Sequence, residues 1–222
     1  MLQKYTKHAH IILYIPTIFF LVALLMISRS AVAANADDAR EFVDGIGRKV
    51  LDVINVSSLG KEEKQKKLQQ MFSQNVDMQW MAQFVLGGAW KQATAEQREN
   101  YIKPYREYML ARYTTRFSDY TGAKYTITDV KSEADGQFVV NMQIKAPKQT
   151  EETSAGYRVL ADSSGNFKIV DIIIEGVSLI NTQRSEFASV VQQKGIDGLI
   201  ENLKNKTGEE KQKPAKSSSG NQ

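Results

Sequence analysis

The chain has 222 residues, with 29 Lys or Arg against 25 Asp or Glu, 2 His and no Cys. Both histidines, His8 and His10, fall in the first ten residues, ahead of a long apolar run. Beyond that run, Ser-His-Asp and Cys-His nucleophiles, thiol redox chemistry, His/Cys zinc sites and disulfides are therefore excluded.

The opening segment carries Lys4 and Lys7 without an acid, then an apolar run of seventeen residues, 11–27, that leads to Arg29. This is the charge order of a signal peptide, and Ala31-Val32-Ala33 supplies a small-residue cleavage site, so residues 1–33 are expected to be removed after Ala33, with Ala36 as the second choice. The alternative is a retained anchor, against which Pro16 and the cleavage site count. Cleavage removes Lys4, Lys7 and Arg29, so 29 basic residues fall to 26 against 25 acidic ones. A surface so nearly balanced offers no field for nucleic acid, which is excluded as a partner. The remaining length, about 190 residues, suffices for one domain without staples.

Residues 37–55 repeat Phe42, Ile46, Val50 and Ile54 every fourth position, which predicts an amphipathic helix. Residues 61–72 predict a second, mostly charged helix with Leu68, Met71 and Phe72 on its apolar edge. Asp77 is placed to cap a short third helix over 78–86, closed by Gly87-Gly88. Thr94 and Gln97 form a capping-box pattern that opens the longest helical stretch, 95–120, with Pro104 expected to kink or split it. Its face carries Ile102, Tyr105, Met109, Tyr113 and Phe117.

The period then changes to two. Strands are predicted over 125–128, over 138–144 after the turn signal Asp135-Gly136, over 154–161, and over 167–175 after Ser163-Ser164-Gly165-Asn166. Hairpin-length connections make the sheet antiparallel. In the last strand, strict alternation groups Val170, Ile172 and Ile174 on one face and Phe167, Ile169 and Ile173 on the other, so both faces are covered. Helices return over 182–193 and 197–204 with a break at Gly195. The domain is thus placed at 34–204, and the polar segment 205–222 is read as a disordered tail.

For chemistry, only carboxylates, Lys, Arg, Tyr, Ser and Thr remain. Asp171 and Glu175 share a strand face and could form a catalytic or metal-binding pair, but nothing else converges on them, and surface acids or partners of an arginine are the simpler reading. No enzyme, cofactor or metal is expected. The aromatic stripe has two readings: ordinary core, or the wall of an apolar pocket, to which Tyr101, Tyr105, Tyr108, Tyr113 and Tyr120 suit their hydroxyls.

Particular strings narrow the choice. Phe84-Val85-Leu86-Gly87, Trp90-Lys91-Gln92-Ala93-Thr94, Gln97-Arg98, Tyr105-Arg106-Glu107-Tyr108, Glu175-Gly176-Val177-Ser178-Leu179-Ile180, Gln183-Arg184-Ser185-Glu186-Phe187 and Gly195-Ile196-Asp197-Gly198-Leu199 occur in this order. Together they resemble the MlaC family, the toluene-tolerance auxiliary proteins, over about residues 36–204. Pro104 and the Lys/Ser-rich tail depart from that pattern.

The resemblance implies an α+β fold in which a twisted antiparallel sheet of about four strands and helices from both ends of the chain enclose an apolar lipid pocket. It implies a periplasmic phospholipid carrier that serves outer-membrane lipid asymmetry. Its partners would be an inner-membrane ABC transporter with an MCE-domain subunit and an outer-membrane lipoprotein with porin. The alternative is a scaffold subunit of an envelope complex that binds no lipid. If the resemblance holds, Tyr105, Met109 and Tyr113 from the helix, Phe138, Val140, Met142, Ile172 and Ile174 from the strands, and Val177, Leu179 and Ile180 after the sheet are expected to surround the acyl chains.

Overall fold

The computed structural model describes residues 34–212 except 116, 135 and 148. The expected signal peptide, Asp135 of the first turn signal and residues 213–222 of the expected tail lie outside the described residues.

Among the described residues five helical segments come first: α1 (Ala36–Asn55), α2 (Lys61–Asn75), α3 (Met78–Leu86), α4 (Gly88–Gln92) and α5 (Ala95–Thr114). After a 3-10 turn (Phe117–Tyr120) come β1 (Lys124–Ala134), β2 (Gln137–Lys145), β3 (Thr153–Ala161), β4 (Phe167–Ile174) and β5 (Val177–Ser178), and then α6 (Leu179–Gln212). The strands pair antiparallel in chain order, so the fold is α+β with an open meander. The sheet has one strand more than expected, because Glu175 and Gly176 both take positive φ, 49° and 77°, and turn the chain back at once.

Short side chains set where the helices begin. The Asn35 carboxamide accepts the amides of Asp37 and Asp38 at 2.9 and 3.0 Å. Asp77 accepts Trp80 N at 2.9 Å, and the Thr94 and Gln97 side chains exchange bonds with each other's amides at 3.1 and 3.2 Å. Between α2 and α3 the chain is pinned to the sheet by Asp77 N donating to Ile169 O at 2.9 Å.

α6 breaks at Gly195, whose φ of 71° lies in the region glycine enters without a Cβ clash. Both arms pack along α5. In the first, Tyr105 donates to Gln183 Oε1 at 3.0 Å and meets Phe187 edge-on at 6.3 Å. In the second, Gln97 reaches the Asp197 carboxylate at 3.2 Å and Arg112 reaches Glu210 at 3.4 Å, so this arm runs parallel to α5. Tyr101, Tyr105, Met109, Leu199 and Leu203 are wholly buried between them. Side chains of this size stabilise the fold by about 1.5–3 kcal/mol each when withdrawn from water.

Three expectations are corrected. α5 ends at Thr114 rather than 120, with the Thr114 and Thr115 hydroxyls donating back to Leu110 O and Ala111 O at 2.6 and 2.9 Å. Pro104 does not split it: the carbonyl that proline leaves without a helical donor belongs to exposed Asn100, where water can serve it. The polar segment after Asn205 is helical as far as Gln212, because Thr207 and Glu210 are buried against the rest of the fold, at 5% and 4% exposure. The third is a matter of tertiary contact, which composition alone does not report.

β4 also departs from strict alternation. Ile169 pairs with Val159 and Asp171 with Arg158, leaving Val170 as the extra residue of a β-bulge. The bulge shifts the phase by one. Phe167 and Ile169 therefore join Ile172 and Ile174 on a single face, the one that looks toward the helices, and Val170 belongs to neither expected row.

Candidate ligand pocket

α1 crosses the helical face of the sheet and presents Val43, Ile46, Val50, Leu51 and Ile54 to it, a stripe of threes and fours. α2 adds Leu68, Met71, Phe72 and Asn75 with the same spacing. Neither helix closes on the sheet at this end, and between them lies a cavity of about 540 Å³. The floor is Tyr125 of β1, Met142 and Ile144 of β2, Thr153 and Tyr157 of β3, and Ile169, Ile172 and Ile174 of β4. The bulge at Val170 is what allows Ile169 to share this floor with Ile172 and Ile174.

Two local contacts fix the elements that wall the cavity. Gly47 faces the Tyr125 ring so closely that a Cβ there would stand 2.8 Å from a ring carbon. Tyr125 packs against α1 and donates to Asp44 Oδ1 at 2.7 Å and Asp44 O at 3.0 Å. Burial, with the Asp44 contacts second, pushes its phenol up to about 12. On the other side Phe72 and Tyr113 lie parallel at 6.4 Å, joining α2 to the end of α5.

Polar groups are few. Arg112, Lys124 and Glu210 are the charged residues among the described lining. The Arg112 guanidinium donates from Nε to Tyr113 Oη at 3.3 Å and from Nη1 to Tyr108 Oη at 3.1 Å. Tyr157 has no hydrogen-bond partner among the described residues, and burial, with Tyr120 second, pushes its phenol up to about 12. It is a neutral donor set in an apolar wall.

The expected site residues divide. Tyr113, Met142, Ile172 and Ile174 line the cavity. Tyr105, Met109, Phe138, Val140 and Ile180 are instead core, none more than 5% exposed, and Leu179 packs against that core. Val177 is 61% exposed on β5. Phe138 and Val140 share the face of Met142, but their end of β2 lies under packed helix, with Phe138 edge-on to Phe167 at 5.9 Å. The tyrosine stripe splits likewise. Tyr101 and Tyr105 satisfy their hydroxyls inside the core, on Ala82 O and Gln183, while Tyr113 and Tyr120 reach the cavity.

The α1 stripe and the charged residues Arg112 and Glu210 were not among the expected site residues. The repeat of Ile46, Val50 and Ile54 around Gly47 was visible in the sequence, but repeat alone does not distinguish a helix face packed on the core from one that borders a void.

Asp171 and Glu175 do not converge. Asp171 is buried against Arg158, whereas Glu175 sits in the β4–β5 turn and accepts Ser154 N at 2.7 Å. Among the described residues no group of three or more His, Cys, Asp or Glu is placed to hold a metal ion, and no helix is long and apolar enough to cross a membrane.

A cavity of this size falls within the roughly 300–1,000 Å³ of small-molecule pockets. Its walls offer water too few polar partners, so it suits an apolar ligand with a polar end.

Comparison with known proteins gives three findings. The family model described as MlaC protein matches residues 45–205. The intermembrane phospholipid transport system binding protein MlaC of Haemophilus influenzae is 25% identical over 127 residues, 56% of this chain. The match spans 59% of that relative's length. A phospholipid-binding protein from Ralstonia solanacearum, solved in complex with a phospholipid, superposes with a TM-score of 0.68 at 22% identity, over 80% of this chain and 99% of its own.

Proposed function

Because this chain belongs to the MlaC family, matched over residues 45–205, we propose that it is a periplasmic phospholipid carrier. The observation that carries the reading is the cavity of about 540 Å³ walled by α1, α2 and the sheet and lined mainly by apolar side chains. The Haemophilus relative is named for phospholipid transport and the Ralstonia structure holds a phospholipid, which agrees with such an occupant.

The energetic logic is that of a shuttle. The two acyl chains of a phospholipid carry some thirty methylenes, and at about 0.8 kcal/mol each their exposure to water costs on the order of 20 kcal/mol. Free lipid therefore does not cross an aqueous gap at a useful rate. Walls such as Ile46, Val50, Phe72, Met142 and Ile172 replace that water, while a charged headgroup at the edge avoids desolvation. No bond is made or broken, and the function calls for neither cofactor nor catalytic residue.

In this reading the signal peptide of residues 1–33 is cleaved after export. The carrier then passes lipid between an outer-membrane lipoprotein associated with porin and an inner-membrane ABC transporter bearing an MCE-domain subunit, in the service of outer-membrane asymmetry. The test is to purify the exported protein without detergent, extract it and identify the lipid by mass spectrometry. Phospholipid near a fixed molar ratio is expected, and protein that is folded but free of lipid overturns the reading.

A further inference from the structure

One side chain of the cavity floor carries a hydrogen-bonding group that the fold does not use. Tyr157 lies on β3, an interior strand, in register with Val140 of β2 and Ile172 of β4. It lines the cavity together with Met142 and Ile172. Its hydroxyl has no hydrogen-bond partner among the described residues, and neither flanking side chain, Val140 or Ile172, can supply an acceptor.

Four other polar side chains of the lining bond within the protein. Tyr125 donates to Asp44 Oδ1 at 2.7 Å, and the Tyr113 hydroxyl accepts Arg112 Nε at 3.3 Å. Thr153 donates to Gln149 Oε1 at 3.3 Å, and Asn75 donates from Nδ2 to Met71 O at 2.7 Å. Tyr157 is therefore the phenol of the sheet floor that is left to a ligand.

Water can serve that hydroxyl while the cavity is wet. Once acyl chains fill it the water leaves, and a buried hydroxyl without an acceptor is destabilising. The bound molecule must then bring the acceptor. A hydrocarbon chain has none, and a phosphate set among these apolar side chains would give up its hydration for one neutral donor. The carbonyl of an acyl ester fits better, because it is neutral and needs no counter-charge.

We infer that the Tyr157 hydroxyl donates to an ester carbonyl of the bound lipid, and that this bond makes the carrier select ester-linked over ether-linked chains. The inference rests on the carrier reading and adds to it a specificity for the linkage. A dialkyl ether lipid has the same apolar chains but no carbonyl to offer, and it leaves the phenol unpaired.

The experiment uses the full chain, stripped of lipid and equilibrated with vesicles of equal parts diacyl phosphatidylcholine and the dialkyl ether analogue of the same chain length, then repurified and extracted. Headgroup and chain length are thereby matched, and the readout is the ratio of the two lipids rather than their amount. Wild-type protein is expected to carry the ester lipid in about fivefold excess over the donor ratio, the scale of one net hydrogen bond. Tyr157→Phe is expected to return the ratio to that of the vesicles. The infrared ester band of the bound diacyl lipid is expected to lie lower in wild type than in Tyr157→Phe, as a hydrogen-bonded carbonyl requires. A wild-type ratio equal to or below the donor's overturns the inference, as does an excess or a lowered band that Tyr157→Phe leaves intact. If that variant does not fold, the wild-type ratio decides alone. Failure of the carrier reading looks different: folded wild-type protein then takes up neither lipid.

Discussion

Asp171 accepts a hydrogen bond from Arg158 Nη1 at 2.7 Å, although the Asp171 side chain is entirely buried and that of Arg158 is 19% exposed. The same carboxylate accepts Ser178 Oγ at 2.7 Å and Ile180 N at 3.2 Å. One acid thus ties β3, β4, β5 and the first turn of α6 together, which is why the sheet and the helical layer meet in a fixed register. Its role is structural. Replacing Asp171 with Ala leaves the Ile180 amide and the Ser178 hydroxyl without this acceptor while Arg158 keeps its pair with Glu133 at 2.7 Å, and the expected cost is about 2–3 kcal/mol in denaturant unfolding of the lipid-free protein. A loss under about 1 kcal/mol contradicts this account.

A charge placed in the cavity and one placed in the core are expected to behave differently. Ile172→Asp puts a carboxylate on the cavity floor, where water can enter once the ligand is absent, so the variant folds but loses most of its lipid. Val140→Asp, at a wholly buried position on β2, is expected to unfold the protein. Thermal unfolding and lipid phosphorus per protein, measured on both, decide the point. Similar behaviour of the two variants means that the boundary between cavity and core is misplaced.

Truncation separates the contribution of the last turns of α6 from that of residues 213–222. Cutting after Gln212 is expected to leave bound lipid unchanged, whereas cutting after Lys204 removes Thr207 and Glu210 and opens the cavity wall. The shorter protein is expected to retain less than half of the wild-type lipid while keeping its circular dichroism per residue. Full retention by the shorter form counts against a wall made by the last turns of α6.

Alkaline titration reports on the same cavity. The Tyr157 phenol ionises near 12 in the folded chain against the ordinary value of 10, because burial disfavours the phenolate. A raised folded value means that stability is intact below pH 10 and falls as pH rises from 10 through 12. A rise of that size corresponds to up to about 2–3 kcal/mol. Tyr157→Phe is expected to remove this part of the alkaline loss, leaving the parts due to Tyr101, Tyr105, Tyr108, Tyr113 and Tyr125, whose phenols burial also pushes up. An unchanged alkaline limb in the variant refutes the assignment of Tyr157 to a water-poor wall.

These outcomes also show which features were legible in the sequence. Caps were: Asp77 and the Thr94–Gln97 box act through residues three apart, and the structure forms both. Strand existence and antiparallel order came from period two and short turns. What escaped was phase. A single extra residue at Val170 moves Phe167 and Ile169 onto the face of Ile172 and Ile174, and alternation carries no sign of it. The aromatic stripe of α5 failed as a guide for a related reason. Tyr105 and Tyr113 have equivalent spacing, but the first meets Gln183 and Phe187 of α6 and the second stacks on Phe72 of α2 beside the cavity. Only the distant partner separates core from wall. Glu210 is the plainest case, a polar residue in a polar run that is buried beside Arg112, ninety-eight positions earlier.

The most direct test of the central claim is to map where the acyl chains lie. Protein loaded with a phospholipid bearing a photoactivatable group near the end of one acyl chain is irradiated, digested and sequenced by mass spectrometry. Adducts are expected on the α1 segment with Ile46, Val50 and Ile54, on Met71 and Phe72, and on Met142 and Ile172. Adducts confined to Tyr105, Met109, Phe138 or Ile180, or spread over the surface without preference, contradict a carrier whose lipid sits between α1, α2 and the sheet.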